Sequence, residues 1–372
     1  MNDITRASVG ICQLTTGHSL DDERILHRMA WTAHHMGLRS QVAGPGQDSS
    51  EFEGISLSAV YDPSSRTWFT GRMFAWIRMV LWALRSSFRV FQIHDPDMLP
   101  AGLVLRTFGR KVVYDVHDDY QASFETKFAS IPVLRSIIPK SWWLFEKNAA
   151  RFFNGVIVAD RHLAKKFAKC DPLILGNYPG LNFTDISNTS GELTFNILYV
   201  GGVTLARGLG VVLEALKQLP HVDLRLHVVG NCRDASLKKS LAAESRVILH
   251  GQVDWTKLRS HYEHAHLGLA VYQPLPGFVT VDHSVKIVEY MAAGIPIITS
   301  NFPGLTAFVK DGGFGEVIDP TDPKALADQI EELFLDRDKC ARLGSRGREL
   351  FESDYNWENH EHKLEQLYHR VC

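Results

Sequence analysis

The feature that most constrains this chain is a repeated alternation. Short β-branched or aromatic runs are followed, again and again, by longer segments with helical period. That pattern is the signature of a parallel sheet covered by helices, so the expected class is α/β. In the first half the strand signals fall at Ser8 to Leu14, Ser40 to Ala43, Val90 to Ile93, Lys111 to Val116 and Gly155 to Ala159. Helical periodicity occupies Asp22 to Met36, Thr70 to Ser87, Pro100 to Phe108, Pro132 to Phe152 and Arg161 to Lys169. The alternation stops at Gly176 to Leu193, GNYPGLNFTDISNTSGEL, which is rich in Gly, Asn, Ser and Thr and has neither period. It then restarts with Phe195 to Val200, the Gly201-Gly202 turn and a helix from Gly208 to Gln218.

A chain of 372 residues also exceeds the size at which one core stays single. The expected organisation is therefore a Rossmann-like domain over 1–178, a linker over 179–193, a second Rossmann-like domain over 194–354, and a helix over 355–372 that returns to the first. Ligands of open parallel sheets bind at the carboxyl ends of strands. The loops Thr15-Thr16-Gly17-His18, His94-Asp95-Pro96-Asp97 and His117-Asp118-Asp119-Tyr120 should thus gather on one side of the first domain.

Composition narrows the partners. A formal charge of -2 gives no polyanion-binding surface, which argues against nucleic acid. Five cysteines, odd in number and without CxxC spacing, fit reduced thiols in the cytosol. MNDITRASVGICQL shows no apolar run before a cleavage site, so a cytoplasmic location is expected. The most apolar stretch, Trp68 to Val90, is broken by four arginines and is unfit to span a bilayer. Within it, a helical wheel of Trp68 to Ser87 sets Arg78 and Arg85 opposite Met73, Trp76, Val80 and Ala83. That arrangement fits either peripheral contact with the inner face of an anionic membrane or an ordinary core-facing helix. Trp142-Trp143 beside Lys140 and Lys147 offers a second anchor of the same kind.

The chemistry concentrates in Val281 to Asn301, VDHSVKIVEYMAAGIPIITSN. Lys286 and Glu289, three apart, share a helix face near its start, and Gly294 ends the helix before a buried strand. An ammonium beside helix-end N–H groups suits a diphosphate, and a carboxylate suits two ribose hydroxyls. The same spacing also fits a plain surface ion pair. Upstream, Gly201 and Gly202 allow close backbone approach to a phosphate, with Arg207 placed to pair with it.

KIVEYMAAGIPIITSNFPG resembles the donor-site segment of the retaining, two-Rossmann (GT-B) glycosyltransferases of family 4, in particular the bacterial polysaccharide subgroup. ILYVGGVTLARGLGVVLEAL, Ile197 to Leu216, is similar to the first strand-turn-helix of that family's donor domain. The loops around His18, His94 with Asp95, and His117 resemble the subgroup as well. The resemblance implies two Rossmann-like domains facing a central cleft. It also implies transfer of a sugar from a UDP- or GDP-sugar to a glycan or lipid-linked acceptor with retention, in cell-surface polysaccharide synthesis. Gly201, Gly202, Arg207, Lys286 and Glu289 would bind the donor, and His117, with Asp118 as neighbour, would sit near the transferred sugar. His18, His94 and Asp95 would line the cleft.

One departure stands out. The glutamate that many relatives carry eight residues before the position of Glu289 is Val281 here, leaving Asp282 or His283 to replace it. Asp95-Pro96-Asp97 spells a metal-binding D-x-D, but it lies far in sequence from Lys286, and neither cofactor nor metal is expected. A sugar-nucleotide epimerase and a non-catalytic nucleotide-sugar-binding subunit share the expected fold and remain alternatives.

Overall fold

The computed structural model describes residues 10–62, 68–128, 131–185, 194–253 and 255–372; for 68–73, 184–185 and 255–256 the backbone alone is described. The chain forms two compact units, residues 1–177 with 360–372, and residues 178–359. Each is built on its own sheet.

The first sheet runs β3-β4-β2-β1-β5-β6-β7-β8, with β1 Gly10–Leu14, β2 Arg39–Pro45, β3 Ser50–Phe52, β4 Ile55–Tyr61, β5 Val90–Ile93, β6 Lys111–Val116, β7 Gly155–Val158 and β8 Leu173–Ile174. All pairings are parallel except β3 with β4. The central strands GICQL and VFQI are buried along their whole length, as a sheet covered on both faces requires. The hairpin β3–β4 is absent from the sequence reading. It turns on Glu53 and Gly54, both with positive φ, which suits a two-residue turn but leaves only a weak Glu-Gly signal.

The second sheet is entirely parallel and runs β11-β10-β9-β12-β13-β14, with β9 Phe195–Val200, β10 Leu224–Val229, β11 Val247–Gly251, β12 Leu267–Ala270, β13 Ile297–Ser300 and β14 Gly315–Ile318. Counted within the unit this is the order 3-2-1-4-5-6 of a Rossmann sheet. Its direction of winding reverses between β9 and β12, where ligands of such sheets bind. The strand β14 and the helices Ala235–Ala243 and Arg337–Ser353 are further elements that the sequence reading omits.

The last helix, Glu358–Val371, ends against the first sheet. An added Cβ on Gly155 would meet the Leu367 side chain, and the fully buried Tyr368 hydroxyl donates to Gln92 of β5 at 2.9 Å. The return of the C-terminal helix thus agrees with expectation. Of the expected linker, 186–193 lie outside the described residues. Before them, Leu181–Asp185 forms a short helical turn in the second unit, where the Leu181 N–H donates to the Glu358 carboxylate.

The helix Trp68–Arg85 takes the core-facing of the two arrangements that the wheel allowed. Val80 and Ala83 are buried and Trp76 packs on the first unit's core, while the side chain of Met73 lies outside the described residues. The exposed apolar residues are instead Phe74, Ile77 and Leu81, interleaved with exposed Arg78 and Arg85. Trp142 and Trp143 are likewise spent on packing, against Phe124 and Phe167. Among the described residues no helix is long and apolar enough to cross a membrane.

Candidate active site

In the second unit, two side chains converge on the glycine where β9 ends. Gly201 has φ +121°, and a Cβ built on it would lie 3.2 Å from Lys286 Nζ and 3.5 Å from Arg207 Nη1. Two cations therefore close over one glycine, at the reversal point of the sheet. Gly230, at the end of β10, has φ +146° and no room for a Cβ against the Gly201 carbonyl, so this turn tolerates a side chain at neither position.

Lys286 sits in the first turn of helix Val285–Ala292 and is buried, yet its Nζ has no hydrogen-bond partner. It rests 4.0 Å from the ring centroid of Tyr199 and 5.6 Å from that of Tyr272, so two aromatic faces shelter it without supplying a counter-charge. Burial pushes its pKa well below the ordinary lysine value and Arg207 adds to this, against a smaller opposite pull from Glu289. The plain helix-surface ion pair is thereby set aside. Glu289 does not hydrogen-bond the ammonium; its Oε2 accepts from the Tyr262 hydroxyl at 2.7 Å.

The surrounding frame is rigid. Tyr290, on the same helix, donates to the Leu198 carbonyl at 3.0 Å and accepts from the Val200 N–H at 3.2 Å, locking helix to β9. Tyr199 donates to the Gly202 carbonyl at 2.6 Å, and Thr204 Oγ1 accepts from the Arg207 N–H at 3.2 Å. Gly294, with φ +68°, ends the helix as expected, its neighbour Ile295 N–H reaching back to the Tyr290 carbonyl. Two cations in a frame that does not neutralise them form a site for an anion, and its spacing on a glycine turn beside a helix N-terminus suits phosphate oxygens.

In the first unit the three expected loops do meet. Asp95 Oδ2 accepts from Thr15 Oγ1 and from the Thr16 N–H, both at 2.7 Å, and Asp97 Oδ1 accepts from Thr16 Oγ1 at 2.6 Å. His18 pairs with Asp22 at 3.0 Å, a contact that raises its pKa against the effect of burial, and its ring meets that of His117 edge-on with centroids 5.1 Å apart. His117 closes β6. Its Nε2 lies 3.4 Å from the Tyr120 hydroxyl, while its buried Nδ1 has no hydrogen-bond partner and stands 4.0 Å from Asp115 Oδ2. Burial holds the ring neutral, opposed by Asp115 and Asp118.

Beneath these loops lies a network that sequence reading did not assign. Asp115 takes two bonds from the Arg24 guanidinium, at 2.8 and 2.9 Å, and one from His94 Nδ1 at 3.0 Å. His94 is fully buried, with its other nitrogen 2.8 Å from Gln13 Oε1. The expectation that His94 lines the cleft is corrected: both ring nitrogens are engaged, and it serves to hold Asp115. Asp95 is likewise committed to the Thr15–Thr16 loop. Asp118 is exposed. The signal for Asp115 was a carboxylate in an otherwise apolar strand, KVVYDV, which a buried position tolerates only with a partner.

Asp282 and His283 lie in the loop entering helix Val285–Ala292. An added Cβ on Gly304 would lie 2.8 Å from Asp282 Oδ1, and the His283 ring packs against Tyr178 and Phe308. Sequence reading also missed Tyr199, Tyr272 and Tyr262, whose relation to Lys286 and Glu289 is set by the fold alone.

Residues 187–350 match the sequence profile of the family described as glycosyl transferases group 1. D-inositol 3-phosphate glycosyltransferase from Xylanimonas cellulosilytica is 30% identical over 160 residues, covering 41% of this chain and 37% of that protein. The chain spans less than half the length of the curated relatives it matches. Sucrose-phosphate synthase from Thermosynechococcus elongatus superposes with a TM-score of 0.77 at 17% identity, over 98% of this chain and 99% of that one. The Anabaena protein HepE in complex with UDP-glucose superposes with a TM-score of 0.72 at 16% identity, over 97% and 99% respectively. The chain has the GT-B fold.

Proposed function

We propose that this chain, whose residues 187–350 are a group 1 glycosyl transferase domain, transfers a sugar with retention from a UDP- or GDP-sugar to a glycan or lipid-linked acceptor. Cell-surface polysaccharide synthesis in the cytoplasm is the setting that fits this reading. The observation that carries it is the unneutralised pair Lys286 and Arg207 closing over Gly201.

In this reading the diphosphate lies on Gly201 and Gly202 between the two cations, and Glu289 accepts from the ribose hydroxyls. As the sugar–phosphate bond breaks, charge grows on the leaving diphosphate. Fixed cations then stabilise the transition state more than the ground state. The acceptor hydroxyl attacks on the face the diphosphate leaves, and a phosphate oxygen takes its proton. His117, neutral and with an open buried nitrogen, contacts the sugar. Asp282 or His283 supplies the contact that Val281 cannot. In this reading donor binding needs no D-x-D metal, and Asp95 and Asp97 instead brace the loop through Thr15 and Thr16.

Calorimetric titration with UDP and with GDP, in EDTA, tests this. One nucleotide is expected to bind with micromolar affinity, and Glu289→Gln to weaken it by roughly tenfold, the worth of one hydrogen-bonding carboxylate. No binding of either nucleotide would overturn the donor site. Nucleotide released only when acceptor is added would exclude an epimerase and a binding subunit alike.

Membrane contact is part of the proposal. Phe74, Ile77 and Leu81 alternate with Arg78 and Arg85 on the exposed face of helix Trp68–Arg85, the composition of an interfacial helix. Co-sedimentation with anionic vesicles is expected and should be lost in Ile77→Glu with Leu81→Glu. Equal sedimentation of both proteins would remove this part of the reading.

A further inference from the structure

At the free edge of the second sheet, three histidines from two neighbouring strands and a helix come together. His227 is on β10, His250 on the edge strand β11 and His261 on helix Trp255–Glu263. One ring nitrogen from each lies within 4.8 Å of the other two. The His227 and His250 rings are stacked at 5.2 Å with Nδ1 of the first 3.0 Å from Nε2 of the second, and the His261 ring meets His250 edge-on at 4.3 Å. We propose that His227, His250 and His261 form a binding site for a divalent transition metal, with zinc as the reference ion, that clips helix Trp255–Glu263 to the edge of the sheet.

Strand geometry places the first two ligands. In the parallel register His227 stands beside Ile248, so Ile248 and His250 share its face of the sheet. Directly after, the register shifts. Val228 pairs with Leu249 and Val229 with Gly251, which leaves His250 as the extra residue of a bulge. Bulges re-aim a side chain, and this one lets His250 stack on His227 rather than stand in an ordinary pair position. The third ligand comes from the helix that follows β11.

The chemistry suits a borderline metal. Imidazole nitrogens bind zinc at about 2.0–2.1 Å, which in a tetrahedron sets them roughly 3.3 Å apart. The His227–His250 separation of 3.0 Å is already close to that, and the third nitrogen closes from within 4.8 Å. Ligation requires neutral rings, so metal affinity should fall as pH is lowered. Without metal, one of the pair His227 Nδ1 and His250 Nε2 must donate to the other. With metal, both turn lone pairs to the ion, so His227 carries its proton on Nε2 and His250 on Nδ1. All three residues are partly exposed, which leaves a fourth position for water.

A clip here reaches the donor site through one peptide bond. Tyr262, next to His261, is the hydroxyl that holds Glu289. A metal would therefore steady the residue that orients the carboxylate, although its binding does not depend on what that carboxylate recognises.

Zinc titration with a competing chelator, repeated with cobalt(II), tests the proposal on the full chain. One equivalent is expected to bind with the visible d–d absorption of four-coordinate cobalt, and amide hydrogen exchange in helix 255–263 should slow on zinc addition. His250→Ala should weaken that equivalent at least thirtyfold and abolish the cobalt signal. His261→Gln, on the helix surface, should do the same, so a folding defect at the strand cannot carry the result; circular dichroism checks each variant. Equal metal affinity and an equal cobalt spectrum in His261→Gln and in the wild type would overturn the site. So would unchanged exchange in helix 255–263 on saturation with zinc.

Discussion

Replacing Lys286 with methionine should weaken nucleotide binding while making the unliganded protein more stable. The ammonium is buried against Tyr199 and Tyr272, faces Arg207, and has no hydrogen-bond acceptor. A charge-assisted bond to phosphate contributes about 1.5–3 kcal/mol, so its loss should raise the nucleotide Kd by roughly 10- to 150-fold. In the unliganded protein the same charge is desolvated without return. A methionine of similar volume removes that cost, and by analogy with buried ion pairs replaced by apolar residues the gain should be on the order of 1–3 kcal/mol. Calorimetry and thermal denaturation of the two proteins check both halves. A variant that loses affinity and stability together would mean that Lys286 is satisfied in solution.

The pH dependence gives an independent reading. The folded-state pKa of Lys286 is lowered, so between that value and the unfolded value of 10.5 the unfolded chain binds more protons than the native one. Stability then rises with pH through that window. The difference in melting temperature between wild type and Lys286→Met should shrink as pH is raised towards 10.5. Bound phosphate should raise the lysine pKa again, so proton uptake on nucleotide binding is expected within that window and is measurable in buffers of differing ionisation enthalpy.

Asp115→Asn is expected to be the most destabilising single substitution in the first unit. The carboxylate is fully buried and receives Arg24 and His94, and the change leaves the Arg24 guanidinium in the core without its salt-bridge partner. Removing one partner of a buried pair costs about 3–5 kcal/mol. For a unit of this size that corresponds to roughly 6 to 20 °C in Tm. Burial alone would raise the Asp115 pKa, but Arg24 and His94 overcome it and hold the group far below the usual carboxylate range. Its contribution is therefore complete above the unfolded value of 3.8 and is lost as pH falls below it. The mutant should show a flatter loss of stability in acid than the wild type. Arg24→Met with Asp115→Leu, which removes both charges, should recover part of the loss. A double variant no better than Asp115→Asn would assign the cost to packing and not to the stranded charge.

Much of this protein was legible before any coordinates. The alternation of strand and helix signals reported two parallel-sheet domains, because strands covered on both faces must be largely apolar runs such as GVIV, and helices between them must show one apolar face. Gly294 announced a helix end, and VKIVEYMA with GG upstream announced where a candidate anion site would be sought, because these features act within a few residues of themselves. Local chemistry is written locally. The hairpin at Glu53-Gly54, whose turn residues carry little signal, was not.

What tertiary structure alone decided is which groups remain uncompensated. Spacing could not tell a surface ion pair from a ligand site at Lys286 and Glu289. The answer depends on Tyr262 claiming the carboxylate and on Tyr199 and Tyr272 claiming the space around the amine. His94 was assigned to a cleft and is a buried support, because Asp115 and Gln13 arrive from neighbouring strands. The two readings of Trp68–Arg85 stayed open for the same reason: a wheel gives periodicity but not which side the sheet occupies. The three histidines at the sheet edge have no sequence motif, since 23 residues separate the first two and a bulge sets their meeting. Hydrogen bonding and charge pairing are satisfied in space, so a group's partner, and therefore its function, is fixed only when distant strands lie side by side.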